Sequence, residues 1–551
     1  SVDLSGNWDV AQFAQLASAE YAEAFSGFTT WQGQLTLQLP QSGMHYSFAL
    51  TSDLVGVTHT LPAPFAKTPD TIMPLAIAAT GTNLASEITA TLGTDVRFVG
   101  VLPHKEKQFS RAHLALGASE FEGTGVGFSI SANLPQLDVG EWYQTLDRLL
   151  AGIGAAKTPL FSSPERIFMA IDEMSLANQT IHDVNATAKQ SDKNWQIDLS
   201  AREARGTVRL FNDWLGNGID IQADYINIST IAPVTQTQTQ TTVDPSQLPP
   251  IAFTCTQCRV LDNNLGAVTL RTKPKPTGMQ ITQLFTQNDH GGVNLTGTWD
   301  KDTDTHSRTA MTGDITSNDF GAFLDEFAFS TGIKDSAAKF IINLEWNNAP
   351  FDFAFADVNG NVDWSLSDGY ITEISDKGSR IFTLLSLDSL VRKLSLDFRD
   401  VFAKGFFYDK INGTMTIANG IAFTEDTVVD GGAGEIDIAG YSDLVNKTLN
   451  YNVSFAPNVT GNLPALVYFM VNPPTAIAAL AVNQVLTSAK VFSNINYSIS
   501  GDFSAPVITE LERQSTEITL PERQNAQVLP DEDLPLTAID KLPVKLQPTT
   551  K

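Results

Sequence analysis

An alternation of apolar and polar residues limits the fold of this chain more than any other feature. Between residues 340 and 346 every second position is apolar, as Phe340, Ile342, Leu344 and Trp346. Similar runs occur near both ends of the chain and at many points between them. Because a period of two places successive side chains on opposite faces of a β-strand, the chain is predicted to be mainly β.

The predicted strands follow one another through short turns rich in Gly, Asn and Asp, which predicts a long, mostly antiparallel sheet. About 25 to 30 strands spaced roughly 4.8 Å apart would extend on the order of 120 Å. An open sheet of that width is expected to curl. One face would then be apolar, either as a closed core or as an elongated apolar groove, and the alternation is compatible with both.

A few helices are predicted between blocks of strands, where apolar residues recur at steps of three and four. A low-complexity stretch, 235–250, predicts a linker or exposed loop between a first β segment, 1–234, and a second, 251–510. The acidic, proline-rich tail, 511–551, is predicted to be disordered. The predicted helices lie near 9–25, 139–153, 318–329, 380–394 and 464–490.

The most apolar stretch, 463–486, is divided by Asn472, Pro473 and Pro474. Each half is too short to span a bilayer. The stretch is interpreted either as a helical plug over the end of the sheet or as an element lying at a membrane interface. The scarcity of Lys and Arg around it favours the plug.

Charge and motif content exclude several classes of function. With 35 Lys and Arg against 61 Asp and Glu, the formal charge of -26 would repel the phosphate backbone of nucleic acids. The seven histidines form no HExxH pair, and GxSxG and phosphate-loop motifs are absent from the sequence. Asp397 and Asp400 flank Arg399 and are interpreted as a local ion-pair network rather than an acid/base pair. No catalytic residue, cofactor or metal site is predicted.

Cys255 and Cys258 are the two cysteines of the chain. A structural zinc site needs about four ligands, and a thioredoxin-type motif needs a helix starting at the first cysteine. Strand-forming residues flank this pair instead. A local disulfide or a bystander thiol pair is therefore favoured over redox catalysis.

Several long segments resemble the YhdP-type members of the AsmA-like family. They include SDLVGVTHTLPAPFAKTPDTIMPL at 52–75, LEWNNAPFDFAFADVNGNVDWSLSDG at 344–369, the RIFTLLS and KGFFYDKINGTM stretches within 378–415, and INYSISGDFSAPVI at 495–508. They occur in the family's order, and the resemblance extends from about residue 5 to residue 510.

The resemblance implies a periplasmic protein of a two-membrane bacterium, anchored in the inner membrane by a helix outside this sequence, which begins at Ser1. It implies a long β groove, similar to that of bridge-like lipid transfer proteins, which moves phospholipid toward the outer membrane. The expected partners are phospholipid acyl chains, both membranes and periplasmic or outer-membrane proteins. The alternative function is a non-enzymatic scaffold or assembly factor for outer-membrane proteins, whose sheet edge pairs with client strands.

If the apolar face is a groove, alternating residues of successive strands should contact the acyl chains. Leu385 and Leu390 of the helix predicted at 380–394 are candidate groove caps. The candidate groove-lining residues are Leu35, Leu37, Tyr46, Phe48, Phe340, Ile342, Leu344, Phe351, Phe353, Phe355, Trp364, Leu366, Met415, Ile417, Tyr451, Val453, Phe455 and Tyr497.

Overall fold

The computed structural model consists mostly of β-strands in the residues that it describes. The residues that it describes are 1–12, 25–41, 43–59, 61–62, 66–118, 125–143, 145, 160–176, 179–228, 244–261, 263–302, 306–327, 332–371, 406–432, 434–457 and 488–519.

Within those residues, 28 strands belong to one sheet. The strands are β1 (Val2–Asp9), β2 (Phe25–Gln38), β3 (His45–Ser52), β4 (Val57–His59), β5 (Leu75–Thr82), β6 (Ala85–Leu92), β7 (Val96–Pro103), β8 (Arg111–Gly117), β9 (Gly127–Asp138), β10 (Arg166–Leu176), β11 (Gln179–Gln190), β12 (Asn194–Ser200), β13 (Ala204–Phe211), β14 (Ile219–Ile228), β15 (Ile251–Val260), β16 (Asn263–Lys275), β17 (Gly278–Gln287), β18 (Gly291–Lys301), β19 (Ser307–Ser317), β20 (Ile333–Lys334), β21 (Ala337–Asn347), β22 (Asn359–Ile371), β23 (Phe406–Ala418), β24 (Ile421–Gly431), β25 (Gly434–Asp443), β26 (Thr448–Pro457), β27 (Ser488–Asp502) and β28 (Ala505–Thr519).

The strands form one ladder in chain order. Two short strands do not add a step, because β4 pairs with β2 on the side that β3 occupies, and β20 pairs with β22 on the side that β21 occupies. Within the described residues the pairs β8–β9, β9–β10 and β14–β15 are parallel and the other pairs are antiparallel. The prediction of a mainly β chain with one long, mostly antiparallel sheet and few helices is confirmed.

The sheet continues across the stretch predicted as a linker. Strand β14 precedes 235–250 and β15 follows it, yet the two strands pair side by side from Ile219 and Ile251 onward. Residues 245–247 form a 3₁₀ turn, and the carboxylate of Asp244 lies 3.0 Å from Nζ of Lys301 on β18. Hydrogen bonds from Ser246 and Lys301 lower the pKa of Asp244 to about 2. The end of the predicted linker is thus fixed to the sheet.

Helices are short in the described residues. α1 (Trp214–Asn217) joins two strands, and α2 (Phe320–Asp325) lies inside the helix predicted at 318–329. Residues 10–12 and 139–143 are helical, at the starts of the two helices predicted earlier in the chain.

Two of the predicted helices lie wholly or mostly outside the described residues. The helix predicted at 380–394 lies outside the described residues. Of the one predicted at 464–490, only residues 488–490 are described, and these belong to β27, so that predicted boundary is wrong.

The sequence alternation predicts that Phe351, Phe353 and Phe355 share one face of a strand, but the structure does not place them in a strand. Residues 351–354 form a loop, and Phe355 begins a 3₁₀ turn. The strand before them ends because Asn348 adopts a left-handed φ of 76° and Pro350 has no N–H to donate to a ladder. An alternation of apolar residues was therefore not sufficient to specify a strand here.

The boundary predicted for the disordered tail, residue 511, lies too early. Strand β28 extends to Thr519 and pairs with β27 over its whole length. The acidic, proline-rich composition of 511–551 predicts a tail, but charges such as that of Glu512 are also common on edge strands because they oppose aggregation.

Candidate binding face of the sheet

One face of the sheet is apolar along the whole ladder. Residues that are directly opposite in neighbouring strands point to the same side of a sheet. In the register, Leu295 of β18 lies opposite Gly313, which lies opposite Ile342, which in turn lies opposite Val362 of β22. The same relation can be followed from strand to strand in both directions.

We call this side the apolar face. Representative members, in ladder order from β1 to β27, are Leu4, Leu35, Phe48, Ile77, Ile88, Phe98, Leu114, Ile130, Met169, Ala186, Leu199, Val208, Ile221, Phe253, Leu270, Leu284, Leu295, Met311, Leu344, Val362, Met415, Ala422, Ile438, Val453 and Tyr497.

Much of this face is incompletely covered in the first part of the sheet. Phe48, Ile77 and Ile88 are half-buried although they belong to central strands. Leu37 at the end of β2 is 55% exposed. Large apolar side chains at such positions would normally be buried completely in a closed core. The face therefore offers apolar surface to a ligand between β2 and β6.

The helix α2 covers one border of the face, at the ends of β18, β19 and β21. Phe320, Phe323 and Leu324 of the helix are buried, and the rings of Phe320 and Phe340 lie 5.0 Å apart. A methyl group at Gly291 would lie 2.8 Å from Phe323, so glycine leaves the space that this ring needs.

The loop that contains the three phenylalanines covers the opposite border of the same strands. Phe351 lies 5.7 Å from the ring of Trp299, and Phe353 lies 5.4 Å from the ring of Trp346. The indole N–H of Trp346 donates to the carbonyl of Ala349 at 3.2 Å, which fixes the start of the loop. The phenylalanines remain solvent-accessible, with Phe351 78% exposed.

Between these two borders the face is open. Phe340 packs with the cluster around α2, and Leu344 packs with a second cluster around Trp346. Ile342 lies between them on β21 and is half-buried. The two clusters therefore flank a partly exposed strip of the apolar face that contains Ile342.

The apolar face is closed at the end formed by β24 to β27. Ile436, Tyr451, Val453, Phe455 and Tyr497 are at most 2% exposed and belong to one cluster. Burial raises the pKa of Tyr451 to about 12, and its hydroxyl is hydrogen-bonded to that of Ser442 at 2.8 Å. At this end the apolar face is a closed hydrophobic core.

A disulfide joins Cys255 and Cys258 on the apolar side of β15. Residues three apart point to opposite faces of a regular strand, but the register of β15 shifts between them. Cys255 lies beside Ala223 and Cys258 beside Ile226, and both cysteines are buried. The disulfide fixes a bulge and is shielded from solvent, as expected of a structural bond.

The candidate groove-lining residues fall into four environments. The half-buried residues of the apolar face are Leu35, Tyr46, Phe48, Phe340, Ile342, Leu344, Trp364 and Met415, and Leu37 on the same face is more exposed. The buried residues of this face are Leu366, Ile417, Tyr451, Val453, Phe455 and Tyr497. The border loop contains Phe351, Phe353 and Phe355, and the candidate caps Leu385 and Leu390 lie outside the described residues.

Sequence reasoning left a long part of the face out of the candidate set. Strands β5 to β16 contribute Ile77, Ile88, Phe98, Leu199 and Phe253 to it. The signal was present, because most of these residues stand in short alternating runs. The runs were too short to show which face they shared without the strand register.

The described residues contain neither a helix long and apolar enough to cross a membrane nor a group of three or more potential metal ligands.

Comparison with known proteins places the chain in a family. A family model described as YhdP protein matches residues 1–508. The intermembrane phospholipid transporter YhdP of Escherichia coli (strain K12) is 28% identical over 541 residues. The match covers 96% of this chain and 42% of that protein, so the chain spans less than half of the relative's length. No solved structure matches the chain.

Proposed function

The chain belongs to the YhdP family, and we propose that it is a segment of a phospholipid conduit, in which the apolar face binds acyl chains while the headgroups remain in water. The observation that carries the proposal is the continuity of this face through the register of the ladder, combined with the partial exposure of several large apolar members, such as Phe48, Ile88 and Ile342. The name of the Escherichia coli relative, an intermembrane phospholipid transporter, agrees with such a role.

The energetics are favourable for lipid. Each buried methylene contributes roughly 0.8 kcal/mol, so an acyl chain of about 16 carbons gains on the order of 10 kcal/mol when it leaves water for an apolar channel. That gain is similar to the one a bilayer offers, so a lipid could enter the channel at modest cost. A ladder of this many strands, spaced roughly 4.8 Å apart, extends on the order of 120 Å. Such a length would suit a bridge between two membranes.

In this proposal the protein works in the periplasm, is anchored in the inner membrane, and supports the barrier of the outer membrane by supplying phospholipid. Transport is non-enzymatic, because binding and diffusion along the face require no bond to break. The alternative, a scaffold for outer-membrane proteins, would use the edge of β28 that faces away from β27 to pair with client strands.

The proposal predicts that the purified chain carries phospholipid. Native mass spectrometry of the chain, expressed in a two-membrane bacterium and purified without detergent, should show adducts with phospholipid masses, and extraction should recover the same lipids. A lipid-free chain that also fails to take up phospholipid from vesicles would overturn the proposal. Crosslinks from β28 to outer-membrane barrel strands, in the absence of lipid, would favour the scaffold.

A further inference from the structure

The opposite, polar face of the sheet contains a cavity of about 920 Å³ over strands β9 to β14. Its existence on this side follows from the geometry of a twisted sheet, which is saddle-shaped and therefore concave along one diagonal on each face. Its size is within the range of ligand-binding pockets, about 300–1,000 Å³. The proposed lipid conduit makes no use of it.

One row of directly opposed side chains forms the centre of this cavity. The row is Ser131, Phe168, Thr187, Asp198, Thr207 and Gln222, one residue from each of six successive strands. Five of these side chains are polar, and the sixth is an aromatic ring that is 44% exposed. Phe168 thus gives the polar cavity one apolar surface on which a ligand ring could stack.

The next row supplies amide, hydroxyl and guanidinium groups. It contains Asn133, Asn185, Ser200 and Arg205 on strands β9, β11, β12 and β13, and Ala170 occupies the position between them on β10. The guanidinium of Arg205 lies 5.8 Å from the centre of the Tyr225 ring, which restricts its orientation. An arginine has five N–H donors, so most of them remain available to a ligand.

The carboxylate of Asp198, in the first row, is oriented by two hydrogen bonds. Oδ1 of Asp198 accepts from Nε2 of Gln196 at 3.1 Å and from Oγ1 of Thr207 at 3.0 Å. These two bonds lower the pKa of Asp198, so it is ionised at neutral pH. Because a carboxylate has about four acceptor positions, further positions remain for ligand hydroxyl groups.

The charges in the cavity select against anionic ligands. Asp198 and Asp224 line it together with one cation, Arg205. The lining is therefore net negative, in a chain whose formal charge is -26. A phosphate or an anionic headgroup would find two carboxylates there against one cation, so the lining disfavours a net negative ligand. A neutral molecule with many hydroxyl groups is not disfavoured.

We propose that this cavity binds a neutral oligosaccharide that carries acetamido groups, with a sugar ring stacked on Phe168 and its hydroxyl groups bonded to Asp198. A pyranose ring presents C–H groups on its faces and hydroxyl groups around its edge, which matches an aromatic ring flanked by planar polar side chains. Nδ2 of Asn185 already donates to the carbonyl of Asp183, and Nε2 of Gln222 donates to Asp220. Each amide has two N–H donors, so Asn133, Asn185 and Gln222 still offer a donor and an acceptor, the complement of an acetamido N–H and C=O. The proposal does not depend on lipid transport.

Titration of the purified chain with tetra-N-acetylchitotetraose tests this site by isothermal calorimetry. Saturable binding is expected, and Phe168→Ala should weaken it at least tenfold because the stacking surface is lost. Asp198→Ala should weaken it as well. The matched control is Phe423→Ala, which removes another exposed phenylalanine, 43% exposed, from the polar side of β24. This variant should bind the saccharide like the unaltered chain.

Lipid loading provides a second readout that separates the two faces. Phe168→Ala should leave the amount of bound phospholipid unchanged. The proposal is overturned by an absence of saturable saccharide binding, by binding that Phe168→Ala and Asp198→Ala leave intact, or by equal losses in Phe168→Ala and Phe423→Ala.

Discussion

Substitution of Ile342 by aspartate is expected to remove most of the phospholipid that the chain binds, at least tenfold at equal lipid concentration. Ile342 lies in the open middle of the apolar face, between the cluster around α2 and the cluster around Trp346. A carboxylate there would face an acyl chain with no partner charge, and burying an unpaired charge costs several kcal/mol. A tenfold loss of bound lipid corresponds to about 1.4 kcal/mol, which is less than the cost of burying the charge. Tenfold is therefore a lower bound on the expected loss.

The neighbouring residue provides a matched control. Ile341 has the same side chain, but it points to the polar face and is 48% exposed. Because Ile341 lies opposite Asp314 and Asp363, the charge is introduced at this position as lysine, which these carboxylates can pair with. Ile341→Lys should therefore bind lipid like the unaltered chain. The measurement is the phospholipid-to-protein ratio from native mass spectrometry, with circular dichroism as the check on folding. Equal loading of the two variants, or equal loss in both, would contradict binding on the apolar face.

The second large effect concerns stability and contrasts two phenylalanines of the same face. Phe455 is 1% exposed and lies opposite Ile436 and Ile495, which are also buried. Truncation of a core phenylalanine to alanine costs about 3–5 kcal/mol. Phe455→Ala should lower the free energy of unfolding by that amount and leave lipid binding by the folded protein unchanged.

Phe48 should give the opposite result. It is half-buried on the open part of the face, so its truncation should cost about 1 kcal/mol or less. Phe48→Ala should instead reduce lipid binding, because ligand contacts are lost. Urea denaturation monitored by circular dichroism measures the first quantity, and the lipid-to-protein ratio measures the second. Similar destabilisation by both variants would show that the whole face is a closed core.

The alternation in the sequence was sufficient to predict the fold class, because a period of two is specific for strands. It did not predict which residues share a face. In β17 a register shift places Ile281 and Leu284, three residues apart, on the same side, whereas a regular strand would separate them. Left-handed backbone at Asp183 and Asp368 marks two other irregular positions. Such interruptions depend on pairing between strands, which a single sequence does not reveal.

The parallel pairs were also beyond sequence reasoning. Strands β14 and β15 pair in parallel across the low-complexity stretch that was interpreted as a linker. The polar composition of that stretch predicts a loop, and its described end, 244–250, lies outside the strands. The composition carried no information on whether the next strand would return to the sheet, because return depends on the edge presented by β14.

The candidate site was partly predictable for the same reasons. Long alternating runs, such as the one containing Phe340 and Leu344, identified the apolar face directly. Burial could not be deduced from alternation, so Tyr451 in the closed core and Phe48 on the open face had the same signature. Alternation alone predicts a strand for the loop phenylalanines Phe351 and Phe353, because it takes no account of Asn348 and Pro350, which end the preceding strand.

The most direct test of lipid binding on the apolar face is photolabelling with a phospholipid that carries a diazirine in its acyl chain. After irradiation of the loaded chain, labelled residues are mapped by tandem mass spectrometry. The predicted result is labelling at Phe48, Ile88 and Ile342 and none at Ile341 or Phe168, which are apolar and exposed but lie on the polar face. Equal labelling of both faces, or labelling restricted to the polar face, would contradict the account.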